Sequence, residues 1–86
     1  MEKFGTLEFV LDRYSGTWCW KITGDLAIDK ISGLTSKAWY GENEHEVIIE
    51  DSIESIKQLK LLMDRYPLEI LSKTVWQRKI VKTYAP

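Results

Sequence analysis

The chain reads as a small α+β domain: an antiparallel sheet of two hairpins with helices packed on one face. Three patterns predict it. Bulky residues alternate with small or polar ones in two arms at the start, and a second pair of short apolar runs follows near the middle. A run beginning at Ile53 then repeats its apolar residues at helical spacing. The predicted order is ββαββα(β)α within a single domain spanning residues 1–86.

In the first arm Leu7, Phe9 and Leu11 alternate with Thr6, Glu8, Val10 and Asp12, the period of a half-buried strand. Tyr14-Ser15-Gly16 supplies a turn, with Gly16 free to take a positive φ. Trp18, Trp20 and Ile22 alternate with Thr17, Cys19, Lys21 and Thr23 in the return arm. One face of this hairpin is therefore expected in the core, Trp18 and Trp20 included.

Thr23-Gly24-Asp25 breaks the pattern. Asp25 is placed to cap a short helix through Leu26, Ala27, Ile28, Ile31 and Leu34, with Gly33 near its end. Lys37-Ala38-Trp39-Tyr40 reads as a strand, residues 41–44 as a turn, and Glu46 to Glu50 as the returning strand around Val47, Ile48 and Ile49.

Asp51-Ser52 opens the clearest helix. Either residue is able to cap it, and Asp51 with Glu54 resembles a capping box. Ile53, Ile56, Leu59, Leu62 and Met63 make its apolar stripe, and Pro67 ends it near Tyr66. Leu68 to Leu71 is a short link or strand. Ser72 or Thr74 caps a last helix carrying Val75, Trp76, Ile80, Val81 and Tyr84. Because Tyr84-Ala85-Pro86 runs straight off that helix, the chain is expected to be part of a longer protein.

Charge is segregated. Residues 1–51 hold five basic against ten acidic residues, a balance of −5, and residues 52–86 hold seven against three, a balance of +4. Lys73, Arg78, Lys79 and Lys82 close the sequence with no acid after Glu69. Such asymmetry fits either a nucleic-acid surface or a solvated helix face.

Several function classes are disfavoured. Cys19 is the only cysteine, so an intrachain disulfide and a paired-cysteine metal site are excluded, and a reducing compartment is expected. Met1 to Gly5 lack the pattern of a secretory leader, and no apolar run approaches the roughly 20 residues of a membrane span. A soluble cytoplasmic protein with no membrane partner is expected.

His45 is the lone histidine, and strand geometry would send Glu44 and Glu46 to opposite faces, so no metal site is expected. No serine lies in a nucleophile elbow, no glycine run makes a phosphate loop, and the crowded Glu42, Glu44, Glu46, Glu50 and Asp51 read as an acidic hairpin. No catalytic residue and no cofactor are therefore expected.

Trp39 and Tyr40, beside Lys37, are balanced between core and a platform on which unpaired bases stack. Trp76, one turn before Ile80, is expected in the core.

The run from Val47 to Ile70, closing in Arg65-Tyr66-Pro67-Leu68-Glu69, resembles a segment found ahead of the motor in phage and bacterial SWI/SNF-like helicases. Gly5-Thr6-Leu7-Glu8 and the Trp18 to Ile22 strand suit such a leader. More distantly, the hairpin and helix order is similar to HARP-type DNA-recognition domains of annealing helicases. The chain departs from that pattern in having no dense basic cluster in its first half, and it contains no motor motif.

The resemblance implies a non-catalytic accessory domain that recognises or positions nucleic acid, with DNA and an ATP-binding motor further along the same chain as partners. Lys57, Lys60, Lys73, Arg78, Lys79 and Lys82 would then meet phosphates, and Trp39 and Tyr40 would meet bases. The alternative is a protein-interaction or scaffold domain docking on a motor or phage partner through the apolar stripe of the terminal helix.

Overall fold

The computed structural model describes residues 4–24 and 37–85. Five strands and two helices are present among them: β1 (Gly5–Leu11), β2 (Trp18–Gly24), β3 (Ala38–Tyr40), β4 (Glu46–Glu50), α1 (Ile53–Arg65), β5 (Leu68–Ile70) and α2 (Lys73–Tyr84). The α+β class follows. The short helix expected over Asp25 to Leu34 lies outside the described residues.

Both expected hairpins form, β1 against β2 and β3 against β4, and β2 joins them by pairing antiparallel with β4. The sheet order is β3-β4-β2-β1-β5. The difference from an all-antiparallel sheet lies at β5, which pairs parallel with β1 through Gly5–Leu68, Thr6–Glu69 and Leu7–Ile70. Parallel partners need a crossover, and α1 supplies it between β4 and β5. Backbone bonds from Phe4 N–H to the Pro67 carbonyl and from Leu71 N–H to the Leu7 carbonyl, both 2.8 Å, extend that ladder at its two ends.

The register sorts the side chains. Phe9, Trp20, Ile49 and Ala38 stand in one row across four strands, and Leu7, Ile22, Val47 and Tyr40 in the next. The inner members of these rows pack with Ile56, Leu59 and Leu62 of α1 and with Trp76 of α2 in one core. Trp20 is fully buried, and Trp76 meets it edge-on at a centroid distance of 5.4 Å. Burying a tryptophan removes on the order of 150–250 Å² from water, which makes this pair a main source of stability in so short a chain.

At the start of α1, Ser52 is the cap. Its Oγ accepts the Ser55 N–H at 3.0 Å and donates to the buried Ser55 Oγ. Asp51 is thereby released from capping and reaches elsewhere. The helix stops at Tyr66, whose N–H still bonds the Leu62 carbonyl, before Pro67. Ser72 occupies the N-cap position of α2 without a side-chain capping bond. Its Oγ instead accepts the Phe9 N–H at 3.0 Å and ties the helix start to β1.

One expectation about burial is corrected. Trp18 is 54% exposed, because it stands in the terminal row with Leu11, itself 56% exposed, beyond the cover of the helices. On α2, Trp76 is buried as expected and Val75 and Ile80 pack against the core, whereas Val81 and Tyr84 are exposed.

Candidate nucleic-acid interface

The polar centre of the helical face is Asp51, immediately after β4. Its Oδ1 accepts the Trp20 indole N–H at 3.1 Å, and its Oδ2 accepts Lys79 Nζ at 2.6 Å. One carboxylate thus satisfies a buried indole and holds α2 against the sheet by a charge-assisted bond. Lys79 also lies over the Phe9 ring, 5.4 Å from its centroid, within cation–π range. Lys79 is therefore engaged inside the protein at its ammonium end.

Helical spacing places Arg78, Lys79 and Lys82 on one flank of α2, since residues three and four apart are neighbours. α2 meets β1 at Phe9, whose N–H bonds Ser72 and whose ring lies under Lys79. Arg78 and Lys82 are exposed on that flank. Lys73, at the first position of α2, is also exposed, in the turn that contains Trp76 and Gln77.

Beside this flank stands an aromatic ladder. Trp18 stacks on Phe9 at 5.3 Å between centroids and 15° between planes. Phe9 in turn leans on Trp20 at 4.8 Å and 50°. The rings and the Lys79 ammonium therefore meet where β1, β2 and α2 converge.

The other expected residues are distributed elsewhere. Lys57 and Lys60 are exposed on α1, and Lys60 lies 5.7 Å above the Tyr84 ring, near the far end of α2. Trp39 and Tyr40 belong to β3, which β4 and β2 separate from β1. Trp39 pairs with Ile48, so alternation directs it to the sheet face opposite the helices, and Tyr40 stands half exposed at the strand's end. The structure brings Arg78, Lys79 and Lys82 together and does not bring Trp39 or Tyr40 to them.

On that opposite face, Val10, Lys21, Trp39 and Ile48 line a cleft of about 600 Å³ together with Arg13 and Tyr14. Lys21 has Glu8 at 3.8 Å and Glu46 at 3.9 Å, so its charge is offset locally. Acidic Glu42 and Glu46 also border the cleft, which makes it a poor host for a polyanion. Among the described residues no three His, Cys, Asp or Glu side chains gather as a metal site. None of their helices is long and apolar enough to cross a membrane.

The signal for Trp18 was present in the sequence as alternation, which fixes its face. What sequence lacks is the extent of the helical cover. Comparison of the chain with family models, curated proteins and solved structures gives no match.

Proposed function

We propose that this domain is a non-catalytic nucleic-acid-binding module that positions an ATP-driven, SWI/SNF-like DNA motor in the cytoplasm. The observation that carries the binding part is the pair of exposed cations, Arg78 and Lys82, on a helix that the Asp51–Lys79 bond holds beside the Phe9–Trp18 ring stack. Exposed Arg78 and Lys82 supply phosphate contacts at fixed spacing, and Lys79 braces the helix that presents them. The motor part rests on the resemblance of residues 47–70 to helicase leader segments.

Anisotropy titrations of labelled duplex, forked and single-stranded oligonucleotides at low salt test the binding. Arg78→Glu together with Lys82→Glu, both exposed and outside the core, should weaken it by tenfold or more while leaving the urea midpoint unchanged. Equal affinity for the wild type and the double variant would remove the flank from consideration.

A second reading has its own observation. Val81 and Tyr84 of α2 and Leu61 of α1 are exposed apolar residues on the helical layer, and a protein partner would cover them. A Val81→Lys change that abolished co-migration with a motor fragment, yet left oligonucleotide binding intact, would favour docking over nucleic-acid contact.

A further inference from the structure

We infer that the interface takes an unpaired nucleobase of a single strand, stacked on the outer face of Trp18. This deepens the nucleic-acid reading and rests on it.

Trp18 is an unusual residue to leave open. A domain this small gains much of its stability from aromatic burial, yet Trp18 is 54% exposed. Its ring is nevertheless held in a defined plane by the near-parallel stack on Phe9, at 15°. Phe9 is itself restrained by contact with Trp20, by Lys79 over its ring, and by its N–H bond to Ser72. The stack therefore ends in a ring whose inner face is used and whose orientation is set before any ligand arrives. A planar, π-faced group is the occupant that continues such a stack, and pre-setting the platform lowers the cost of ordering it.

Charge selects which planar group. Lys79 of α2 reaches the Phe9 ring on which Trp18 stacks, and the exposed Arg78 and Lys82 lie within one helical turn of it. An aromatic platform beside a basic track matches a base attached to a phosphate chain, with stacking on Trp18 and phosphates along the helix. Strandedness follows from access. In a duplex both faces of each base are covered by neighbouring pairs, so a ring in the terminal row of the sheet meets only backbone. In a single strand the base is free to turn onto the ring. Duplex binding would then use the cations alone.

The test compares a labelled oligothymidylate, its duplex with oligoadenylate, and a strand carrying abasic sugars, by anisotropy at fixed low salt. The wild type should bind the single strand more tightly than the duplex and lose that advantage on the abasic strand. Trp18→Ala should weaken single-strand binding on the order of 10- to 100-fold and change duplex binding little, with Trp18→Phe intermediate. The abasic arm uses the unaltered protein, so it stands even where Trp18→Ala disturbs folding. Equal affinity for all three nucleic acids, or a Trp18→Ala protein that keeps the single-strand preference, would overturn the stacking assignment and leave charge-based binding standing. Failure of the wild type to bind any strand would overturn the nucleic-acid reading together with it.

Discussion

Asp51 serves two side chains from other parts of the chain, Trp20 at a separation of 31 residues and Lys79 at 28. Removing it strands an indole N–H in the core and leaves an ammonium without its carboxylate. Leaving such groups unpaired costs about 1–3 kcal/mol, and the partial exposure of Lys79 discounts the charged share. Asp51→Ala should therefore lower unfolding free energy by about 2 kcal/mol, and Asp51→Asn, which keeps an acceptor for Trp20, by roughly half of that. Urea unfolding followed by tryptophan fluorescence reads both, and an unchanged midpoint for the alanine variant would show that the network contributes nothing. The role of Asp51 was not legible in the sequence. Asp and Ser are both good caps, and local chemistry does not say which one is needed by a ring far away in the chain.

Among the elements, α1 depends most visibly on one side chain. Ser52→Ala removes the acceptor for the Ser55 N–H and the partner of the buried Ser55 hydroxyl. A loss of about 1 kcal/mol, approaching 2 kcal/mol if the Ser55 hydroxyl finds no replacement, is expected in the same unfolding assay. Thermal denaturation followed at the helical ellipticity minimum would check it independently.

The elements also show what kinds of pattern sequence carries. The β1–β2 hairpin and α1 were readable because each is long enough for its period to repeat and is bounded by a turn or a cap. Three residues at Leu68–Ile70 carry no period, so β5 was readable only as a link or strand, and its parallel pairing with β1 was hidden. The same limit applies to the surface. Alternation told which face Trp18 occupies, but the reach of α2 decided that it is open, and the sequence left Trp39, the second ring, balanced between core and surface. The register of β3 decided that the second lies across the sheet from the basic flank.

For the molecule as a whole, segregated charge has a measurable signature. Among the described residues the acidic half builds most of the sheet, and the basic half builds both α1 and α2. If phosphates are met chiefly by Arg78 and Lys82, the logarithm of single-strand affinity should fall with the logarithm of salt at a slope of about −1.4. Neutralising Lys82 with Gln should make that slope shallower by about 0.7. A slope unaffected by Lys82→Gln would mean that the basic flank of α2 is not where the strand runs.

The pairing of β5 with β1 has a consequence for how the protein is made. Synthesis delivers β1 first, but the strand that seals its outer side comes only after α1. Until then the backbone amides and carbonyls along that side of β1 face solvent, an open template for a neighbouring nascent chain. β5 also brings the start of α2, whose Ser72 takes the Phe9 amide. The closing stitch of the sheet and the arrival of α2 are thus one event, which follows the making of α1. A ribosome-bound chain halted before Leu68 would have its aromatic hairpin but neither its seal nor the cations of α2.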